Sequence, residues 1–494
     1  MNDERNIPKT QENKDEILKK AKALLQEFRE SLYNFFPYRA DALMDLIDAV
    51  ASNTTARSVV ELSLSPFFRR EYSSLFAAIE NFFVPSKPEK EVEEKRLQEQ
   101  EILHLIAPYL ATSEQRKYHL FCTDVTYLPR QFSKTLEDRT FVHCPNTIKG
   151  NTPVTIGHDY SVLSYLPEKT SPNSPPWVVP LIVRRVQSIE KATQVSTEQI
   201  EAVATDDTLP FKDKLSVLVE DSAYSSVVHL GSVATLPKLV SEIRFPKNRV
   251  VYHKYELPEG EKPSSGHPTW YGKRFALKEP DTWGDPDERA STTFTTKKGK
   301  VYTVELEGWH DMLRKGKHDM PMHKYPFTLF RAEVLDEDGN RVFKHDMWII
   351  VIGKRRRELS LIDIWEIYAQ RYDTEHFFRY GKQRLLMASF QTPVVEHEEN
   401  WWKIVQLAYT QLWLARSLAI AMPRPWERYA TPPERGNVSP STVQKNFERI
   451  IQELGTPAKA PKRKNNSKGR AKGTKPPPRK RHPVIKKAKS TQYG

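Results

Sequence analysis

Cysteine is scarce in this chain of 494 residues, which contains only Cys122 and Cys144. Neither cysteine has a CxxC neighbour, so a disulfide scaffold is excluded and a reducing cytoplasmic compartment is expected. The histidines are scattered and have no cysteines near them in the sequence. They therefore give little support for a zinc site.

Nucleotide-binding loops and membrane-spanning runs are also missing from the sequence. It contains no GxxxxGK and no GxGxxG, so chemistry driven by a nucleotide lacks its usual signature. The most apolar stretch, residues 404–422, contains Gln406, Gln411 and Arg416, which favours a buried helix over a membrane span. The first residues are polar and acidic, unlike a signal peptide. We therefore expect no membrane partner.

Acidic residues are absent from residues 455–494, which hold 14 Lys and Arg. The net charge of the whole chain is +13, and the rest of the chain, with 62 basic and 63 acidic residues, is nearly neutral. A tail rich in Pro, Lys and Arg cannot bury a core, so we expect it to be disordered. Its charge favours a polyanion such as nucleic acid over a purely solubilising role.

Residues 367–385, IYAQRYDTEHFFRYGKQRL, interleave bases, acids and aromatics. Polar side chains recur there at helical spacing, so a helix would carry them in one stripe beside an apolar one. The members of this stripe are Tyr368, Arg371, Glu375, Arg379 and Lys382. An ion-pair ladder on a surface helix and the wall of a cleft both fit this pattern.

The remaining chain alternates between helical and strand-like segments. Residues 15–115 show apolar residues at helical spacing. Residues 117–128 contain a predicted strand that ends at Asp124. Residues 215–219 predict a second strand, with Asp221 after it and a helix over 223–243. Later segments predict a hairpin closed by the DEDGN turn and a helix over 399–421.

A possible DNA-reading element lies in residues 54–82. The Ser65-Pro66 junction predicts a tight turn and a helix that starts with proline, which together resemble a helix-turn-helix. Arg69 and Arg70 would then lie in the first turns of the second helix, where recognition helices contact bases. An ordinary helical bundle is the alternative.

Three carboxylates stand out by position, namely Asp124, Asp221 and Glu375. Carboxylates at strand ends project into the crevice at the edge of an α/β sheet. Three of them together would repel one another unless a cation intervened. Such hard oxygen ligands suit Mg²⁺ or Mn²⁺, and two such ions serve phosphodiester chemistry.

The stripe matches Y-x2-R-x3-E-x6-K, and this resembles the Y-R-E-K signature of bacterial insertion-sequence transposases in the DDE superfamily. CTDVT around Asp124 and EDSAY around Asp221 resemble the two aspartate motifs of that family. Ser222 departs from the residue often found after the second aspartate. The 153 residues between Asp221 and Glu375 are similar to the branch whose core is interrupted by a β insertion.

The resemblance implies an α/β fold with an RNase H-like mixed-sheet core, a mostly β insertion and a helical N-terminal domain. It also implies a cytoplasmic, nucleoid-associated enzyme that works as a homodimer on double-stranded DNA. Such enzymes bind the terminal inverted repeats of their element, cut them with the help of metal, and join the freed 3′-hydroxyl to target DNA. Asp124, Asp221 and Glu375 would be the catalytic metal ligands, with the basic stripe residues on phosphates.

In the β-insertion branch, strand joining forms a hairpin, and a flipped base stacks on a tryptophan. Trp348, 20 residues before Tyr368, stands where that tryptophan is expected. A core anchor of the predicted hairpin is the alternative for Trp348. The insertion and the helical N-terminal region favour a transposase over an RNase H-like nuclease. The intact carboxylates favour a transposase over a domesticated DNA-binding protein that has lost its chemistry.

These features together predict six regions. They are a helical DNA-binding domain (1–115), the first part of the core (116–244), the β-rich insertion (245–347), the second part of the core with the signature helix (348–425), a helical segment (426–454) and the basic tail (455–494).

Overall fold

The structure is a computed structural model, and it describes residues 7–110, 115–145, 152–169, 171, 174–257, 269–296, 298–421, 438–462, 469 and 471–486. The helices are α1 (Ile7–Phe35), α2 (Ala40–Ala51), α3 (Tyr72–Glu80), α4 (Glu91–Ile106), α5 (Ala192–Ala204), α6 (Val227–Ala234), α7 (Leu361–Gln370), α8 (Tyr372–Arg384), α9 (Val395–Ala421) and α10 (Pro440–Leu454). The strands are β1 (Tyr118–Pro129), β2 (Thr140–His143), β3 (Val154–Tyr165), β4 (Val179–Val186), β5 (Leu215–Glu220), β6 (Leu239–Arg244), β7 (Val250–Lys254), β8 (Tyr271–Ala276), β9 (Glu288–Thr295), β10 (Val301–Met312), β11 (Phe327–Leu335) and β12 (Met347–Ile352).

One large mixed sheet organises the described residues. Its strand order is β2-β3-β1-β5-β6-β12-β11-β10-β9, and β4 pairs with β3 beside β2. β1, β5 and β6 are parallel, whereas β3 runs antiparallel to β1, and β12 runs antiparallel to β6. The insertion strands therefore continue the core sheet through β12, and only β7 and β8 form a separate two-stranded sheet.

The two faces of the sheet bury different helices. On one face, alternate apolar residues of β1 and β5 pack against α7, including Cys122 and Val219. On the other face, the intervening residues join a larger core with α9 and the N-terminal helices. This alternation follows from the two-residue period of a strand, and it fixes which side chains share a face.

The N-terminal helices pack on the catalytic half of the chain. α1, α2 and α3 all contact α9, and a buried cluster ties them together. Arg29 donates to both carboxylate oxygens of Asp48 at 2.5 and 2.8 Å, and to the side chain of Gln411 at 2.6 Å. Residues 1–115 were expected to form a DNA-binding module, and their described part shares a core with α9, which does not test DNA binding. The boundaries of the six predicted regions stay predictions.

Several predicted elements differ from the observed ones. The helix predicted over 223–243 is wrong, because α6 ends at Ala234 and β6 then forms an inner strand of the sheet. Ser241 and Glu242 of this strand are fully buried. The hairpin predicted before the signature helix is confirmed by the pairing of β11 with β12.

The helix expected from Pro66 onward does not form there. Residues 60–64 make a single turn of 3-10 helix, and α3 begins only at Tyr72. The predicted helix-turn-helix is therefore reduced to one short turn and a nine-residue helix. Among the described residues no helix is long and apolar enough to cross a membrane.

Candidate active site

Asp124 and Asp221 lie at the same level on neighbouring parallel strands. The last paired residues of β1 and β5 are Cys122 and Val219, and each aspartate follows its pair member by two residues. Both aspartates therefore lie on the same face of the sheet as Cys122 and Val219, which is the face that packs against α7. Asp124 was expected at the end of a strand, but β1 continues to Pro129 in its pairing with β3. Asp221 directly follows β5, as predicted.

α7 and α8 carry the signature side chains over this pair. α7 starts with a capping box in which Ser360 and Asp363 satisfy each other's backbone amides. The predicted single helix is interrupted at Arg371, which lies between α7 and α8. Tyr368 is 1 % exposed and Arg371 is 8 % exposed, so the first two members of the stripe face inward as the wall of a cleft would.

The charges of the site are coupled. Burial raises the pKa of Asp124 to about 7, and the nearby charges of Asp221 and Glu375 add to this rise. The Arg371 guanidinium donates to the Glu375 carboxylate at 3.2 Å and also lowers the pKa of Asp124. The three predicted carboxylates therefore interact electrostatically, and Arg371 balances part of their negative charge.

Asp124 and Asp221 have the donor set that suits a hard cation. One oxygen of Asp124 accepts from the Val125 amide at 2.8 Å, and one oxygen of Asp221 accepts from the Ala223 amide at 2.7 Å. Each carboxylate thus has a second oxygen for a ligand. Glu375 is turned toward Arg371, and its side chain is 55 % exposed. Within the described ranges, no three His, Cys, Asp or Glu residues are arranged as a ready metal site. The aspartate pair fits a divalent cation, and the third ligand is not in place.

Lys382 reaches the same strand two residues beyond Asp124. Its ammonium donates to the Thr126 hydroxyl at 2.7 Å and to the Tyr127 carbonyl at 2.9 Å. It also lies 4.4 Å from the centre of the Tyr127 ring. Thr126 and Tyr127 were not singled out from the sequence, because no local spacing links them to Lys382.

Two further residues of the predicted DNA-binding set have different surroundings. Arg379 is exposed and bonds to His376 on its own helix, which leaves its predicted phosphate contact untested. Trp348 is 2 % exposed and its ring centre lies 5.0 Å from that of Trp283 and 5.8 Å from that of Trp309. In this packing Trp348 is a core anchor, because a flipped base would have to displace a neighbouring indole to stack on it.

Arg69 and Arg70 were expected to read bases, but they neutralise a buried carboxylate. Asp45 has a side chain that is 1 % exposed, and it lies 2.7 Å from Arg69 and 3.1 Å from Arg70. The two guanidiniums also donate to the carbonyl oxygens of Ala458 and Lys459. This pairing gives both arginines a structural role, and their base contacts stay a prediction.

A buried polar network behind Asp221 was missed in the sequence. Glu220 accepts from both Ser196 and Ser241, at 3.2 and 2.9 Å, and lies 2.8 Å from the His229 ring. Both Glu220 and His229 are almost fully buried. The only sequence signal was a glutamate at the end of an apolar strand. This network holds the residue next to Asp221 and thus the end of β5.

The tail makes specific contacts at two points. Besides the contacts at 458 and 459, the amides of His482 and Ile485 donate to the Lys134 and Arg139 carbonyls at 2.9 and 2.8 Å. The tail was expected to be disordered throughout, and these described residues differ because their backbone extends the edge at β2. Residues 463–468, 470 and 487–494 lie outside the described ranges.

A comparison with protein families places these features in a known group. The family model described as DDE superfamily endonuclease matches residues 31–315, more than half of the chain. The match includes Asp124 and Asp221 and ends before Glu375. A comparison with curated proteins returns no match. The mixed sheet agrees with the RNase H-like α/β fold that the resemblance implied, and the chain belongs to the DDE superfamily endonucleases.

Proposed function

We propose that the protein is a DNA transposase that binds the terminal inverted repeats of its insertion sequence. It cuts their strands in a metal-dependent reaction and joins them to target DNA in a cut-and-paste sequence. One observation carries this proposal. Asp124 and Asp221 lie at the same level on neighbouring parallel strands, and Arg371 and Glu375 lie in the helical segment that covers them. Its family membership supports a nuclease or transposase activity.

Asp124 and Asp221 would hold Mg²⁺ or Mn²⁺, and Glu375 would join them after leaving its ion pair with Arg371. The divalent ions, two in number, supply activation of water and stabilisation of the leaving oxygen when they are bound. Arg371, once released, positions a phosphate beside the scissile bond. Lys382 uses two of its three donors on Thr126 and Tyr127, and its third donor would contact a neighbouring phosphate.

The test is cleavage and joining of DNA taken from both flanks of the gene, in Mg²⁺ and with chelator. Asp124→Asn, Asp221→Asn and Glu375→Gln should each lower cleavage by about two to three orders of magnitude, on the order of what such electrostatic groups supply. DNA binding, measured separately by anisotropy, should change little because these residues lie at the chemistry. Glu201→Gln, on the exposed face of α5, is the matched control.

Two results would contradict the proposal. Cutting in Mg²⁺ by any of the three variants at more than a few per cent of the unaltered rate would remove that residue from the triad. Cutting without joined product would favour an RNase H-like nuclease, a second candidate that the family's endonuclease description supports. Binding without either reaction would leave a domesticated DNA-binding protein.

The same assay examines the predicted hairpin intermediate and the predicted homodimer. Denaturing gels reveal hairpin ends, and a hairpin would need a stacking side chain other than the packed Trp348. Two ends held in one complex, seen as a paired-end species by light scattering, would support a dimer on DNA.

A further inference from the structure

A recess lies beside the candidate active site, next to the residues that follow Asp221. Its volume is about 700 Å³, and Ser222 and Ala223, which follow Asp221 directly, form part of its wall. α5 and α6 contribute other walls, and the insertion closes it with residues near 246, 249, 314 and 317. The recess therefore begins at the catalytic strand and extends between the core and the insertion.

Four cationic side chains line this recess, namely Lys191, Arg249, Arg314 and Lys317. Within the part of the chain that the structure describes, no carboxylate lies at ion-pair distance from any of the four. Glu198 is the acidic residue in the wall, and its carboxylate is already held by Arg96 at 3.0 Å and Arg184 at 2.8 Å. The recess is thus a concave region of uncompensated positive charge.

Arg314 shows how closely these charges are packed. Its guanidinium donates to the Ser225 carbonyl at 2.5 Å and lies 5.4 Å from the Phe245 ring, which fixes it in the wall. Burial lowers the pKa of Arg314 to about 10, and the neighbouring Arg249 charge contributes to this. Two guanidiniums that line one recess without an acid are stabilised when an anion lies between them.

We propose that this recess binds the sugar-phosphate backbone of a single DNA strand as it leaves the catalytic carboxylates. The inference rests on the proposed function and adds a path for the DNA to it. A volume of about 700 Å³ lies in the range of about 300–1,000 Å³ that is typical of ligand sites and is too small for a duplex. Arginine pairs suit phosphate because each guanidinium can donate two parallel hydrogen bonds.

The recess also explains why the insertion continues the core sheet. β6 leads directly into the segment that carries Arg249, and β10 leads into the segment that carries Arg314 and Lys317. β6 pairs directly with β5, whose end bears Asp221, and β10 belongs to the same sheet three strands beyond β6. A strand bound in the recess would contact cations from the core and from the insertion at once.

The test measures how salt weakens binding of a fluorescent 30-nucleotide single strand to the full chain. Each lost phosphate contact should lower the slope of log K against log salt by about 0.7 for a single strand. Arg249→Gln with Lys317→Gln should therefore flatten the slope by about 1.4 units. Both side chains are exposed, so the fold should persist, which a thermal melt checks.

The matched control is Lys278→Gln with Arg289→Gln, which removes the same charges from exposed positions of the insertion outside the recess. Equal slopes for the two double variants would overturn the inference while cleavage and the proposed function could stand. If the unaltered chain does not cleave DNA and only the recess variant has a reduced salt slope, the proposed transposase activity is wrong and the strand site stands. If the recess variant loses binding of inorganic phosphate at millimolar concentration while its salt slope for the strand is unchanged, the recess is a site for free phosphate and the strand proposal is wrong. Absence of strand binding by the unaltered chain would also overturn it.

Discussion

Lys382 is a residue of the candidate site whose charge depends on its surroundings. Burial lowers its pKa to about 8, partly offset by the charges of Cys144 and Asp159, whereas an ordinary lysine titrates near about 10.4. The positive charge is present below this pKa and is lost as pH rises through it. We expect cleavage to fall as pH rises through about 8 if Lys382 contacts a phosphate.

Lys382→Arg keeps the charge to much higher pH, because the arginine pKa exceeds about 12. The alkaline decline should then shift upward by at least one pH unit, even if the maximal rate is lower. The measurement is the pH profile of cleavage in saturating metal, with Lys278→Arg as the control. If the cleavage rates of Lys382→Arg and the unaltered chain decline at the same alkaline pH, the decline comes from another group.

Residue spacing could predict the shared stripe of Arg371, Glu375 and Lys382, because helical periodicity is local. It could not predict the partners of Lys382, since Thr126 lies 256 residues away in the sequence. It also assigned base contacts to Arg69 and Arg70, because an exposed arginine and one beside a buried acid look alike in a sequence.

Asp45 gives a direct test of that reassignment. Arg69→Ala with Arg70→Ala leaves its buried carboxylate without a cation, which should cost about 3–5 kcal/mol in the free energy of unfolding. Adding Asp45→Asn removes the stranded charge and should recover a large part of this loss. Urea unfolding measures both effects. A stable double variant that has lost its preference for the element's ends would instead restore the base-reading role.

At the scale of elements, strand β6 shows where sequence patterns fail. The sequence predicted a helix over 223–243, yet its last part forms β6, and Ser241 and Glu242 lie inside the sheet. β6 is an inner strand because β12, more than 100 residues later, pairs with it. Such long-range pairing leaves no local signal, whereas the β11–β12 hairpin was predictable from its turn and its alternating residues.

α9 is fixed to the sheet by a second buried network, which was also invisible in the sequence. Glu398 lies 2.7 Å from Arg130 and 2.7 Å from His158, and the Tyr160 hydroxyl donates to it at 2.9 Å. Burial would raise the pKa of Glu398, but the hydrogen bond and charge of His158, together with Arg130, hold it below its ordinary value. The ionised carboxylate therefore joins α9 to β1 and β3.

We expect Glu398→Gln to lower the free energy of unfolding at pH 7 by about 3–5 kcal/mol, the usual result of breaking a buried pair. Because the folded pKa is lowered, the contribution of Glu398 is complete above about pH 4.5 and is lost as pH falls further. The difference in the free energy of unfolding between the variant and the unaltered chain should become smaller below that pH. Urea titrations between pH 7 and 3.5 measure it, with the half-buried Glu396→Gln on the same helix as control. A pH-independent difference would mean that shape, and not charge, holds the helix.

At the scale of the whole molecule, charge is divided between a nearly neutral folded part and a basic tail. The composition alone predicted this division, since residues 455–494 hold 14 Lys and Arg and no acid. It could not predict that residues near 458 and 482–485 contact the folded part through their backbone, because backbone contacts leave no compositional trace. The tail thus begins on Arg69 and Arg70 and reaches the edge at β2.

Truncation after Lys462 separates the electrostatic role of the tail from its contacts with the N-terminal helices. It keeps the bonds to Ala458 and Lys459 and removes 12 positive charges. If half of these charges neutralise phosphates, the slope of log K against log salt for duplex DNA should flatten by about 5 units, at about 0.9 per phosphate. The preference for the element's ends over random DNA should persist, because base contacts and not phosphate contacts carry sequence information. Anisotropy titrations at several salt concentrations provide the slope. A truncated chain with an unchanged slope would show that the folded part alone holds the DNA.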